Sequence, residues 1–392
     1  MTKYLAMLFF SQQAAIGAIA PYLQIILRNK GYSHSFVGFF LAVCQICSSI
    51  ALIIASEIAD TTGKTKRIMF LSVFVGLILF IPAIISSSFT VTIISMLVAY
   101  CFFFCLPTMV DGISCKVLEG NTKKYGFVRA MGTFGYMLVL IVFGILNFPD
   151  SSSNASILSA IAPVLLILCI MVISLPKTIN EPLREHVKNT NVFLKIKGMF
   201  SMESFDRPLK MMFGIVAITR IAKAIIDKLL PAYMTEVLQV GSRFTLLIAI
   251  GAAFEIGMMI FGGRLLQKGR ITTWQMIFSS TIGLALRLLI YCFTTSIWAF
   301  AIAQTLHAFT YGAIHVGVTK YIVEHVEHNH IGFAMGFYWG ACTNIPEMLG
   351  AFVGGFIIDS FGYDVLFLSY SAFPIIAGVL MLVLRRQLET KR

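Results

Sequence analysis

Apolar residues run along this chain in long blocks and do not alternate with polar ones. Twelve blocks are centred near residues 16, 46, 78, 103, 138, 165, 222, 253, 282, 309, 345 and 374, joined mostly by short polar links. A helix needs about 20 apolar residues to cross a bilayer, so twelve of them consume about 240 positions and leave short loops. A membrane β-barrel would show short segments of period-two alternation instead, and no part of the sequence does. The pattern predicts an all-α integral membrane protein with twelve transmembrane helices. The first block follows only Met1, Thr2 and Lys3 and is too long for a cleaved signal, so it reads as the first helix. Composition agrees: of 392 residues, 58% are hydrophobic and 12% charged, where a soluble domain carries about 25% charged residues.

The net charge of +12 raises the question of nucleic acid, but its placement answers it. With both termini on one side of the membrane, that side holds 22 Lys and Arg, the other holds three (Arg28, Lys30 and Arg243), and five lie within helices. This is the positive-inside bias, so the expectation is a multi-pass protein of the cell (inner or plasma) membrane with both termini cytoplasmic. Polyanion binding is not needed to explain the charge. The eight cysteines all fall in or at the ends of apolar blocks, which implies no disulfide framework. Cys44 and Cys47 have CxxC spacing, but within an apolar helix they read as packing.

One long polar stretch, residues 177–210, separates six apolar blocks from six more. The expected organisation is an N-terminal six-helix bundle (1–176), a cytoplasmic linker (177–210) and a C-terminal six-helix bundle (211–392). The halves echo each other. PYLQIILRNKG (21–31) and PAYMTEVLQVG (231–241) both run from a proline to a glycine ten residues on, and SEIADTTGK (56–64) occupies the place of GGRLLQKGR (262–270). Repeats of this kind are a common plan of secondary transporters.

Charges inside the apolar blocks carry the functional signal, because each costs about 2.5–3.5 kcal/mol at a membrane centre and is normally kept for a partner or a pathway. Asp111 and Arg129 flank a short basic turn on adjacent helices, where they form either a structural ion pair or a substrate clamp. Arg220, Lys223 and Asp227 share one face at i, i+3 and i+7, with Lys228 off to the side. Lys223 and Asp227 can neutralise each other, and Arg220 is either an interfacial anchor or part of the site. Gln304, His307, Tyr311 and His315 form a polar stripe on one helix, and His307 can sense or relay protons. Glu347 has no partner in the sequence pattern, and Gly350, Gly354 and Gly355 beyond it suit close helix packing. EHVEHNH (324–330) holds three histidines, but irregular spacing without cysteine favours a solvated loop over a metal site.

Two resemblances sharpen this picture. Asp60-Thr-Thr-Gly63-Lys64, followed by Lys66 and Arg67, resembles the gating-loop motif GxxxDRxGRR between the second and third helices of the major facilitator superfamily, with Ser56 and Thr61 departing from it. Asp111 together with YGFVRAMGTFGY (125–136) is similar to the oligosaccharide:proton symporters, the group of lactose permease and phenylpropionate permease. The resemblance implies a substrate site of Asp111, Arg129, Tyr136, Glu255, Arg287 and His307, with Gly132 matching a helix-five glycine and Asp227 a helix-seven acid. In that family a lysine stands three residues before the histidine and a proton-coupling glutamate three after it. This chain has Gln304 and Thr310 at those positions.

No phosphate-binding loop, HExxH or GxSxG motif occurs, so the chain reads as a carrier and not an enzyme, with no cofactor and no metal. The expected function is proton-coupled symport of a small polar solute, a sugar or oligosaccharide, by a monomer in the lipid bilayer. Transport of an aromatic or other small carboxylate, or of nucleosides, is the alternative, and a non-transporting receptor or scaffold is the reading from outside that class. The proton-coupling candidates are Glu255, His307, Asp227 and Glu347, with Glu255 the leading one because the other acids are paired or lie outside the matched set.

Overall fold

The structure is a computed structural model describing residues 2–118, 122–176, 205–326 and 331–389. Most of the expected linker (177–204 of 177–210) and most of the histidine-rich loop (327–330) lie outside the described residues, as does the side chain of Asp60. The last linker residues already belong to the helix that starts at Arg207. All regular structure among the described residues is helical. In the first half the helices are α1 (Thr2–Ile19), α2 (Leu23–Asn29), α3 (His34–Thr62) and α4 (Thr65–Ile85). They are followed by α5 (Phe89–Phe104), α6 (Leu106–Val117), α7 (Thr122–Leu146) and α8 (Asn154–Ile173). The second half opens with α9 (Arg207–Ala224), α10 (Leu230–Glu236), α11 (Phe244–Gln267) and α12 (Thr273–Phe293). It continues through α13 (Ile297–Thr305), α14 (Ile314–His325), α15 (Ile331–Trp339), α16 (Ile345–Val383) and the short α17 (Arg385–Leu388).

Nine stretches of the described residues are long and apolar enough to cross a membrane. The last, Ala334–Val383, runs for 50 residues and bends where Gly362 leaves helical geometry (φ 86°), which makes it two membrane legs. Two further legs, α9–α10 and α13–α14, fall below that threshold because they carry Arg220, Lys223 and Asp227, or are interrupted within the helix. Together they supply twelve legs.

The repeated proline-to-glycine segments correspond at their glycine ends. Pro21 sits in a 3-10 turn between α1 and α2, and Pro231 follows the π-helical turn Ile225–Leu229 that joins α9 to α10. Gly31 (φ 83°) and Gly241 (φ 53°) end the two segments in a left-handed conformation that a side chain would disfavour.

The chain forms two compact units. The first comprises Met1–Tyr32, Val43–Val192 and Val240–Leu246, and the second Ser33–Ala42, Phe193–Gln239 and Leu247–Arg392. In the first, α1 packs along α7 with close backbone approach at Gly135, where a Cβ would stand 2.2 Å from the carbonyl oxygen of Phe10. In the second, α9 packs along α16, where a Cβ on Gly350 would stand 2.1 Å from the carbonyl oxygen of Ile221. Small residues give such contacts their close backbone approach inside a membrane, as expected for Gly350, Gly354 and Gly355.

Candidate functional site

In the first unit, Asp111 on α6 and Arg129 on α7 are hydrogen bonded: one guanidinium nitrogen, Nη1, donates to both carboxylate oxygens at 2.9 and 3.1 Å. The Arg129 side chain is 50% exposed and that of Asp111 35%, so the pair is open on one side. Tyr136, two turns along α7, lies against α1. A Cβ on Gly17 would meet its Cδ2 at 3.1 Å. Gly132 lies on the same surface, against Phe9 and Gln13.

The second unit holds a denser arrangement, built where its helices widen. Among the described residues the three π-helical turns, Ile225–Leu229, Ala308–Ala313 and Gly340–Asn344, all lie in this unit. Such bulges recur at functional sites because they turn side chains out of regular register. Asp227 lies in the first, Thr310 and Tyr311 lie in the second, and Glu347 follows the third by one turn.

Around these turns two polar clusters form. In one, Lys223 donates to Asp227 across one turn, and Lys223 Nζ is also 3.8 Å from Glu347. Arg220, 1% exposed, reaches Glu347 at 3.4 Å through Nη1 and donates to the Tyr338 hydroxyl at 2.6 Å through Nη2. This corrects two sequence expectations. Glu347 is not unpartnered, because the α9–α16 approach brings it to two cations far away in sequence. Arg220 is not an interfacial anchor, because its guanidinium is enclosed by Tyr338 and Glu347. Lys228 is half-buried, with a stem long enough to carry its ammonium toward water.

The other cluster joins α11, α12 and the α13–α14 leg. His307 Nε2 lies 3.2 Å from Glu255 Oε2, and both side chains are largely buried. Arg287, buried on α12, directs each of its three guanidinium nitrogens to a neutral acceptor. Nε donates to the Tyr291 hydroxyl at 2.7 Å and Nη1 to His307 Nδ1 at 2.9 Å and Thr310 Oγ1 at 3.2 Å. Nη2 donates to Gln304 Oε1. The two departures from the symporter pattern, Gln304 and Thr310, are therefore the residues that flank His307 and complete the arginine's hydrogen bonding. Gln304 is itself buried, and with its oxygen on Arg287 its amide nitrogen has no protein partner.

Along the same leg the rings of His307, Tyr311 and His315 succeed one another at 5.9 and 6.0 Å, tilted by only 16° and 17°, and Trp339 continues the series at 5.7 Å. Lys223 Nζ sits 5.1 Å from the Tyr311 ring centre and ties the two clusters together. The polar stripe expected on this helix is thus a partly exposed ladder of ring faces, with Gln304 drawn off to Arg287.

Sequence reasoning missed Tyr291 and Tyr338, whose buried hydroxyls look like ordinary aromatic residues in an apolar run. It also missed a cluster elsewhere in the second unit. Asp359 accepts from the His34 and Ser35 amides at 3.0 and 2.7 Å at the start of α3, and His34 Nε2 lies 3.2 Å from Glu236. An aspartate in an apolar, glycine-containing stretch gave no signal. Of the gating-loop motif, Gly63 adopts a positive φ of 63° after α3 and Lys64 is exposed. Among the described residues no group of three or more His, Cys, Asp and Glu is disposed to hold a metal ion.

These features, twelve helical legs with ionisable side chains inside them, define a polytopic membrane carrier. Residues 2–369 match the model of the MFS_1 like family, and the chain belongs to that family. Among solved structures it is similar to a mutant of the nucleoside transporter NupG, with a TM-score of 0.82 and 13% identity over 97% of this chain and 99% of that one. A mutant of a peptide transporter POT in complex with alafosfalin aligns with a TM-score of 0.75 and 11% identity, over 99% and 94% of the chains. The human organic anion transporter MFSD10 (TETRAN) aligns at 0.62 and 12%, over 97% and 98%. No curated protein sequence matches. The chain thus has the twelve-helix major facilitator fold and is a secondary transporter of that type, not an enzyme.

Proposed function

We propose that this protein is a proton-coupled symporter of an uncharged polar solute carrying hydroxyls and a planar ring, for which a nucleoside is the best-fitting class. The observation that carries the reading is the charge balance of the second unit. Its three buried cations, Arg220, Lys223 and Arg287, are matched by three acids, Asp227, Glu255 and Glu347. An anionic substrate would need a surplus of buried positive charge, and the further cation next to Asp227, Lys228, is half-buried with a stem that can carry its ammonium to water, which argues against the carboxylate alternative. Hydroxyls suit the carboxylate of Glu255 and the unpartnered amide of Gln304, and a planar base suits the ring faces of Tyr311 and His315. A free sugar, the reading implied by the lactose-permease resemblance, uses the first set and leaves the ladder idle. The likeness to a nucleoside transporter is in accord with this ordering.

The coupling site in this reading is the Glu255–His307 pair. Asp227 and Glu347 are held by Lys223 and Arg220, whereas a coupling acid must gain and lose its proton during the cycle. Asp111 and Arg129, bordered by Tyr136, are a separate candidate for substrate contact within the first unit. Both termini and the 177–210 linker are cytoplasmic in this account, and the sequence halves, 1–176 and 211–392, are the two bundles of the transport cycle.

Ligand-induced stabilisation of purified protein orders the substrate classes, since a ligand that binds only the folded state raises the melting temperature by mass action. Nucleosides at millimolar concentration should raise it, with sugars weaker and carboxylates inert. Stabilisation by carboxylates alone would overturn the reading.

A further inference from the structure

Arg287 was expected to clasp substrate, yet each nitrogen of its guanidinium already has a protein acceptor, and the side chain is buried. A guanidinium donates hydrogen bonds and cannot accept them. The 2.9 Å contact between Nη1 and His307 Nδ1 therefore requires Nδ1 to be the unprotonated nitrogen. The ring proton of neutral His307 then sits on Nε2, which faces Glu255 Oε2 at 3.2 Å and donates to it. Protonating Nδ1 would set an N–H against an N–H and a second positive charge against Arg287.

We infer that Arg287 is a positioning residue that fixes His307 as the neutral Nε2–H tautomer, so that Glu255, and not His307, takes up the coupling proton. This rests on the reading of the Glu255–His307 pair as the coupling site. The groups facing His307 are consistent with it. Glu255 comes from α11 and Arg287 from α12, Tyr311 stacks from its own helix, and the Lys223–Asp227 pair contributes one charge of each sign from α9 and the turn that follows. Thr310 completes the arrangement. A carboxylate at that position would capture the arginine, whereas a hydroxyl accepts one bond from Nη1 and leaves Nδ1 as the second acceptor.

The inference also separates the roles of two residues that sequence alone places in one substrate site. Glu255 keeps its remaining lone pairs for a substrate hydroxyl or a proton. His307 holds Glu255 in place as a fixed donor, and Arg287 acts only through His307, Gln304 and Tyr291.

Nitrogen-15 NMR of histidine-labelled protein in lipid nanodiscs tests this directly, because the two ring nitrogens have distinct shifts in each tautomer. The chain has seven histidines, so His307 is identified by the signal lost in H307Q. The expected wild-type result is a single neutral form with Nδ1 unprotonated and Nε2 protonated. In Arg287→Met the Nδ1-protonated population should rise by about tenfold or more, the weight of one hydrogen bond to a charged group. Arg287→Lys, which still offers a donor to Nδ1, should keep the wild-type tautomer. A wild-type His307 carrying its proton on Nδ1, or present as imidazolium, overturns the inference without recourse to any variant. So does an unchanged tautomer in Arg287→Met. Transport separates the two parts of the proposal. If the tautomer is as expected but Glu255→Gln still accumulates solute in response to a pH gradient, the assignment of the proton to Glu255 is overturned while the positioning role of Arg287 stands.

Discussion

Asp111–Arg129 in the first unit and the Arg220–Lys223–Asp227–Glu347 cluster in the second both set opposite charges on membrane helices, but they are built differently. The first joins two helices that are neighbours in the chain, is open on one side, and uses one guanidinium nitrogen for both oxygens. The second encloses Arg220 completely and draws its partners from helices about 120 residues apart, beside π-helical turns. An open pair can release its partner to a ligand at low cost, whereas an enclosed one cannot be broken without leaving a buried charge alone. Substrate exchange therefore suits the first and structural clamping the second.

Stability measurements on single substitutions should separate the two sites most strongly. Arg220→Leu strands Glu347 and the Tyr338 hydroxyl and should cost about 3–5 kcal/mol, seen as a collapse of the melting temperature in detergent. Arg129→Leu should cost no more than about 1 kcal/mol. Equal losses would erase the distinction. A smaller effect is expected from crowding the helix contact that assembles the cluster. Gly350→Val drives a side chain into the Ile221 carbonyl and should cost about 1–3 kcal/mol. Gly112→Ala, beside Asp111 with open space around it, should leave the melting curve in place. The smallest stability change belongs to Arg129→Lys, which keeps the charge but loses the planar fork. Transport should nevertheless fall by about tenfold or more if the open pair handles substrate. Uptake at the wild-type rate would reduce the pair to a structural tie.

The two units also differ in how far the sequence discloses them. Hydrophobic blocks of spanning length announce the helices, and the proline-to-glycine repeat at 21–31 and 231–241 announces the relation between the halves. Lys223 and Asp227 were readable as a pair because they lie one turn apart on one helix, and Asp111 and Arg129 because a short turn brings them together. The Glu347 contacts were not readable. They depend on α9 packing against α16 through Gly350, and no local spacing encodes which helices approach. The π-helical turns were equally hidden, since a helical wheel assumes a constant register and IIDKL at 225–229 contains no glycine or proline to mark the change. The hydrogen bonding of the Arg287 fork was hidden for a related reason. Arginine beside histidine and glutamate suggests a substrate clamp, and only the placement of Tyr291, Gln304 and Thr310 shows its donors already engaged.

If solute and proton move together through Glu255, simultaneous proton and solute fluxes in proteoliposomes should show it most directly. With wild-type protein, adding a nucleoside outside should acidify the vesicle interior in step with solute entry. Glu255→Gln should still exchange labelled solute for unlabelled while moving no protons. Solute entry without proton movement in the wild type, or undiminished proton entry in Glu255→Gln, would contradict the account.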